Sequence, residues 1–197
     1  MGKYLLLIEL FFRSILPPFY SFKMIERICK NKLIKNQNDK SALWILSNLY
    51  INYKKFNDAK PYLKRLFMQD MKSKAVRLLL SSIYYNQGEY GKVKEILEEG
   101  KVLELSDKEN FYLADSLLKL KEYEESIKYF FKFLKKNKTE YIPFVKLGYA
   151  YYMQGLFEPA IDSYESANKL SSGNIKIEDS IKLCMEKLKE SQTLHKL

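Results

Sequence analysis

The chain has 197 residues, of which 47% are hydrophobic and 29% charged, so it can bury a core and is not a disordered tail. Its net charge of +10 is uneven, because residues 1–73 hold 14 Lys/Arg against 5 Asp/Glu whereas residues 74–197 hold 20 against 19. This asymmetry indicates either an anionic binding surface or a solvated, lysine-rich face. Cys29 and Cys184 show neither the pattern of a disulfide framework nor the spacing of a metal motif, and we interpret them as reduced thiols.

Residues 4–16 form an apolar stretch that Pro17 and Pro18 end. It is too short and too charged for a membrane-spanning helix, which needs about 20 predominantly apolar residues. It also lacks the small-residue cleavage site of a secretory signal. Three alternatives remain for the apolar, basic N-terminal helical extension over residues 1–39. It is a cap of the fold, an interfacial membrane anchor, or a docking element for a partner or a second copy of the chain. As an anchor, its membrane contacts would be Leu5, Ile8, Phe11, Phe12, Ile15 and Phe19.

The rest of the chain contains an internal repeat. An aromatic residue is followed three positions later by a small or β-branched residue at four places, and the aromatics are 34, 33 and 34 residues apart. The pairs are Phe56 with Ala59, Tyr90 with Val93, Tyr123 with Ser126, and Phe157 with Ala160. Apolar residues before and after each pair recur with helical spacing, which predicts two helices per repeat. We expect the four aromatics to occupy equivalent, buried turn positions.

Local signals predict the helix boundaries. Gly88 and Gly155 precede the aromatic where the chain must turn, and Lys54 and Lys121 take the same place in the other two repeats. Ser106 and Glu109 have capping-box spacing at a helix start. Pro61 and Pro159 are predicted in the first turn of the following helix, where a missing N–H costs little.

These repeats resemble the tetratricopeptide family, with units at 40–73, 74–106, 107–140 and 141–174. The last unit matches best, through Leu147-Gly148, Tyr151, Gly155-Leu156-Phe157, Ala160, Tyr164 and Ala167. The resemblance implies an all-α fold: a right-handed α-solenoid of four helix pairs. Residues 22–36 are predicted to form the second helix of a degenerate repeat before it. A capping helix over about 176–193, within a C-terminal region 175–197, would close it through the stripe of Ile177, Ile181, Cys184 and Leu188.

The resemblance also implies a concave groove lined by the first helix of each pair. The fifth, ninth, twelfth and thirteenth residues of each unit face it in the family. In this chain they are Trp44, Asn48, Ile51, Asn52, Leu78, Ser82, Tyr85, Asn86, Phe111, Asp115, Leu118, Lys119, Val145, Tyr149, Tyr152 and Met153. Such a groove is apolar and aromatic, and each of its aromatics is either a partner anchor or simply core between helices.

No Gly-rich phosphate loop, nucleophile elbow or Cys/His cluster is present, so we expect no catalytic residues, metal or cofactor. A carboxylate clamp, which several family members carry, is not expected, since Trp44, Leu79 and Tyr112 stand at its positions and only Asn48 matches. The sequence therefore predicts a cytoplasmic, non-enzymatic adaptor that binds an apolar helix or extended peptide of a protein partner.

The alternative is a membrane-surface scaffold or assembly factor at the inner face of a membrane. It would be anchored to anionic lipid through residues 3–22 and the basic N-terminal third. Nucleic-acid binding rests on charge alone and is not favoured. A homo-oligomer would follow if the N-terminal helix docks a second copy.

Overall fold

The computed structural model describes residues 22–99 and 104–194, and within these ranges every regular element is an α-helix. The predicted membrane contacts between Leu5 and Phe19 lie outside the described residues. The chain divides into two compact units, of which unit 1 ends at Ile83 and unit 2 begins at Tyr84.

Helices follow one another in pairs along both units. Unit 1 holds α1 (Phe22–Lys35), α2 (Lys40–Asn52), α3 (Phe56–Gln69) and most of α4 (Lys74–Asn86). Unit 2 holds the end of α4, then α5 (Tyr90–Glu99), α6 (Asp107–Lys119), α7 (Tyr123–Leu134), α8 (Tyr141–Met153), α9 (Phe157–Ser171) and α10 (Ile175–Leu194). We call α2, α4, α6 and α8 the first helices and α3, α5, α7 and α9 the second helices. The first helices begin at Lys40, Lys74, Asp107 and Tyr141, which are the first residues of the four sequence repeats.

The turn inside each pair has the same backbone conformation in all four repeats. Lys54, Gly88, Lys121 and Gly155 have φ of 57°, 74°, 64° and 73°, which is the left-handed region. The next N–H donates back to the carbonyl five residues earlier, as from Lys55 to Tyr50 at 2.8 Å and from Leu156 to Tyr151 at 3.0 Å. This pattern is a Schellman closure, which satisfies the last carbonyls of the first helix. The two lysines therefore do occupy the place of the turn glycine.

Small residues lie where the paired helices meet. The eighth residue of each unit is Ser47, Ser81, Ala114 or Gly148, and all four are buried. The twentieth is Ala59, Val93, Ser126 or Ala160, each with 0% exposure. In the third repeat the Ser126 hydroxyl donates to the carbonyl of Ala114 at 2.7 Å, which links the two small positions across the helix pair.

In unit 1, α1 packs against α2 through both apolar and polar contacts. Cys29 and Leu33 are buried. The Tyr50 hydroxyl on α2 donates to Glu26 Oε1 at 2.6 Å, and Lys30 Nζ donates to the same oxygen at 2.6 Å. Both hydrogen bonds lower the pKa of Glu26, and the one from Lys30 has the larger effect. The position of α1 matches the predicted 22–36 helix.

In unit 2, α10 covers α9 with the predicted stripe. Ile177 and Cys184 are buried with Ala160, Tyr164 and Ala167 of α9, and Ile181 packs beside them. Burial raises the pKa of the Cys184 thiol, so the thiol stays protonated and acts as a small apolar residue. The helix runs Ile175–Leu194, one residue longer at each end than the predicted 176–193.

Two expectations about local structure are wrong. The four repeat aromatics are the first residues of the second helices, but Phe56 is 40% exposed and the other three are half-buried rather than buried. A side chain in a helix's first turn has no preceding turn to pack on, so it stays partly open. Pro61 is the sixth residue of α3, beyond the first turn, so its missing N–H does fall inside the helix, whereas Pro159 is the third residue of α9.

Candidate functional site

The predicted groove residues differ widely in exposure. Those that are open to solvent are Asn86, Lys119, Tyr149 and Met153. The half-buried ones are Trp44, Ile51, Asn52, Leu78, Ser82, Tyr85, Phe111, Val145 and Tyr152. Asn48, Asp115 and Leu118 are buried, with exposures of 2%, 2% and 7%. A partner could reach the first group directly, whereas the last group acts on the structure of the chain itself.

In unit 2 a polar chain joins three successive first helices. Asp115 on α6 accepts a hydrogen bond from the Tyr85 hydroxyl at the end of α4. It also forms an ion pair with Lys146 on α8, whose Nζ lies 2.6 Å from Asp115 Oδ1. The Asp115 side chain is 3% exposed and that of Lys146 is 24% exposed. A buried carboxylate is tolerated only when it is paired, and both oxygens of Asp115 have partners. These contacts therefore hold the end of α4, from Tyr84 onward, together with α6 and α8 within unit 2.

Aromatic packing surrounds the tyrosine of this polar chain. The ring centroid of Tyr85 is 4.8 Å from that of Tyr112 and 6.4 Å from that of Phe111. Burial, reinforced by the hydrogen bond to Asp115, raises the pKa of Tyr85 well above its ordinary value. The hydroxyl thus remains a donor to Asp115 throughout the neutral range.

Several predicted groove residues also pack within the chain itself. Phe111 lies 5.3 Å from Phe133 between ring centroids and packs on the core of α6, α7 and α8. Val145 and Tyr152 pack on the core that α9 and α10 share. The Asn48 amide donates to the Trp44 carbonyl at 2.8 Å in its own helix, so that amide nitrogen is already engaged.

The open part of the face lies on α8. Ile142, Tyr149 and Met153 are 47%, 44% and 42% exposed. They follow one another at i, i+7 and i+11, so they form one stripe along the helix, with Lys146 within it at i+4. Large apolar side chains in a row, next to an already neutralised lysine, form a surface suited to apolar contact.

The groove positions predicted from the sequence include Tyr149 and Met153 of this stripe but not Lys146 or Ile142. One signal could have found Lys146: it is the only charged residue in α8, and Asp115 is likewise set in an apolar stretch of α6. A lone charge in an apolar helix indicates a buried partner. No group of three or more metal-binding side chains is present among the described residues. No helix in those same ranges has the length and apolar character to cross a membrane.

Comparison with known proteins identifies the class. A family model for the anaphase-promoting complex (cyclosome) subunit 3 matches residues 52–133. A crystal structure of the MamA protein superposes with a TM-score of 0.68 at 21% identity, covering 75% of this chain and 81% of that one. A MamA structure from Desulfovibrio magneticus RS-1 superposes with a TM-score of 0.63 at 18% identity, covering 80% of this chain and 96% of that one. The structure of YrrB, described as a TPR protein with an unusual peptide-binding site, superposes with a TM-score of 0.69 at 13% identity, covering 82% of this chain and 84% of that one.

These matches show the fold that the resemblance seen in the sequence implies. The chain is a helical-repeat solenoid of the tetratricopeptide type.

Proposed function

We propose that the chain is a non-catalytic protein-interaction scaffold, and that unit 2 binds an apolar helix or an extended peptide of a partner protein along α8. The observation that carries this proposal is the open stripe of Ile142, Tyr149 and Met153 on a first helix. Tyrosine and methionine are enriched at protein contacts, because they give large contact area and adapt to the partner. Of the predicted groove residues, Tyr149 and Met153 are the anchors we select.

The polar chain beneath the stripe favours an apolar partner. Lys146 is already paired with Asp115, so it offers little free charge to a carboxylate ligand. An apolar side chain of a partner can therefore cover the stripe without burying an unpaired charge, because Lys146 and Asp115 neutralise each other. The peptide-binding site named for YrrB, which shares the fold, supports a peptide as the class of ligand. The groove positions of unit 1, including Trp44 and Ile51, stay predictions.

Affinity for selected peptides tests the site. Peptides selected from a random display library against the whole protein are titrated by fluorescence anisotropy. We expect Tyr149→Ser with Met153→Ser to weaken binding about thirtyfold or more, since truncating an anchor commonly costs 2 kcal/mol. The control is Leu183→Ser with Met185→Ser on α10, both 43% exposed, which should keep the wild-type affinity. A double variant on α8 that retains helicity and full affinity would show that the peptides bind elsewhere.

We propose an anionic membrane surface as the second candidate function, on a separate observation in unit 1. Residues 22–83 hold 14 Lys/Arg against 4 Asp/Glu. The outward face of α1 alternates cations such as Lys23 and Arg27 with Met24 and Ile28, which are 38% and 40% exposed. Neither cation has an ion-pair partner among the described residues. Interleaved cations and aliphatic side chains suit a lipid headgroup layer better than nucleic acid, which is read by stacking on aromatic rings.

Vesicle sedimentation tests this second candidate. The whole protein should pellet with vesicles of phosphatidylglycerol and phosphatidylcholine, and not with phosphatidylcholine alone. Lys23→Glu with Arg27→Glu should abolish this binding. Lys182→Glu with Lys189→Glu on α10 makes the same change in net charge and should leave it unchanged. Equal loss of vesicle binding in the α1 and α10 variants would show that only net charge matters. Binding of the protein to single-stranded RNA but not to vesicles would contradict the assignment of a membrane surface.

A further inference from the structure

Unit 2 also has a cleft that none of the predicted groove residues lines. Its volume is about 600 Å³, and it lies between the second helices α7 and α9, with α8 as its floor. Phe144, Leu147 and Tyr151 of α8 form the apolar floor, and Phe131 and Pro159 belong to its walls. This volume falls within the range of about 300–1,000 Å³ typical of ligand sites. The cleft is thus large enough for a bulky side chain and the peptide backbone beside it.

Phe131 departs from the repeat in a way that packing does not require. It is 48% exposed, and its ring centroid is 6.4 Å from that of Tyr151 in an edge-to-face arrangement. The residues at the same position of the other three repeats are Lys64, Glu98 and Glu165. A second helix of this fold therefore accepts a charged residue there. An open phenyl ring in place of a charge, at the wall of a cleft, indicates a contact with something outside the chain.

The charge of the lining points to an acidic ligand. Lys135 and Lys138, just after α7, line the cleft, are exposed and have no ion-pair partner among the described residues. Asp162 of α9 supplies a single opposing carboxylate. The hydroxyls of Ser163 and Ser166 already donate to carbonyls of their own helix at 2.8 and 2.9 Å. Recognition of polar groups at this cleft thus depends mainly on the two lysines.

We propose that the cleft is a second peptide-binding site, which takes an extended acidic segment of a partner protein and inserts one bulky apolar side chain of it against Phe131. This site is separate from the α8 stripe. A single chain could therefore hold two segments at once, one on each side of unit 2.

Blocked tripeptides test the proposal by amide chemical-shift changes in the whole protein. The probes are Asp-Leu-Asp, Lys-Leu-Lys and Asp-Ser-Asp. Asp-Leu-Asp should shift amides around Phe131, Tyr151 and Ser166. The other two should bind at least about tenfold more weakly, because Lys-Leu-Lys carries the opposite charge and Asp-Ser-Asp lacks the apolar side chain. Equal binding of all three probes, or shifts confined to other regions, would overturn the proposal.

Two variants separate recognition from packing. Phe131→Glu restores the residue of two other repeats, so it should keep the melting temperature and weaken Asp-Leu-Asp about tenfold or more. A fall in melting temperature would make Phe131 a packing residue and refute its role as an anchor. Lys135→Glu with Lys138→Glu should reverse the preference toward Lys-Leu-Lys. Unchanged preference in that variant would also count against the site.

Discussion

Lys146 on α8 reaches the carboxylate of Asp115 on α6 at 2.6 Å, so two residues 31 positions apart in the sequence join the first helices of consecutive repeats. Lys146 lies within the open stripe of α8, about one helical turn after Ile142. Because the Asp115 side chain is 3% exposed, this pair is part of the scaffold, and the apolar surface next to it is what a partner can contact.

Removing Lys146 should destabilise unit 2 strongly. Lys146→Met keeps the length of the side chain but leaves Asp115 with only the hydrogen bond from Tyr85, so we expect a loss of about 2 kcal/mol or more in the free energy of unfolding. Urea denaturation measures it. A double-mutant cycle with Asp115→Asn should return a coupling of about 1–3 kcal/mol. As the control, Lys187→Met breaks the exposed pair with Glu190 and should have no measurable effect. Additive effects of the two substitutions would contradict the coupling.

Alkaline pH should weaken the same polar chain. The pKa of Tyr85 is raised above its ordinary value of 10.0, so the neutral hydroxyl is the form that the fold stabilises. This contribution is complete below pH 10, which is the pKa in the unfolded chain, and it is lost as the pH rises through the higher folded value. Tyr85→Phe cannot ionise, so its stability should fall less steeply above pH 10 than that of the wild type. Chemical denaturation across that range tests this, and parallel curves would show that Tyr85 does not contribute.

Substitutions at three of the four inter-helix turns should change stability with opposite signs, depending on whether the turn residue is lysine or glycine. Lys54→Gly and Lys121→Gly should each stabilise the protein by about 0.5–1 kcal/mol. A side chain in the left-handed region costs about 1–2 kcal/mol, and removing it outweighs the greater conformational entropy that glycine gives the unfolded chain. Gly88→Ala should destabilise it by about 1 kcal/mol for the same reason. Gly91→Ala, three residues further on in α5, has ordinary φ and open space, so it should stabilise. Thermal denaturation of the four variants decides, and a stabilising Gly88→Ala would contradict the turn assignment.

The turns inside the helix pairs could be predicted from the sequence, because they are local and recur every 33 or 34 residues. Lys54 and Lys121 could be assigned to the turns although neither is glycine, because they occupy the same position of the repeat as Gly88 and Gly155. The burial of Asp115 could not be predicted in this way. It depends on how closely α8 approaches α6, and no local rule gives that distance. Phe131 was missed for the opposite reason, since the repeat pattern assigns no role to that position and only the cleft reveals one.

The size of the eighth residue of a repeat should be matched to that of the twenty-fourth. The pairs are Ser47 with Leu63, Ser81 with Leu97, Ala114 with Phe130, and Gly148 with Tyr164, so the two aromatic rings accompany the two smallest partners. A Cβ added to Gly148 would lie 3.0 Å from two ring atoms of Tyr164, and that ring is only 5% exposed.

Gly148→Ala should therefore destabilise unit 2 by about 1 kcal/mol, because overpacking of about 1–3 kcal/mol exceeds the helix-propensity gain of alanine of about 1 kcal/mol. Gly148→Leu should cost more. The decisive test repeats Gly148→Ala in a Tyr164→Leu background, which copies the small-with-leucine pairing of the first repeat. There the added methyl meets no ring and should stabilise by about 0.5–1 kcal/mol. Urea denaturation of the four proteins of this cycle measures the change of sign, and a loss of equal size in both backgrounds would show that the contact with Tyr164 is not what excludes a side chain from position 148.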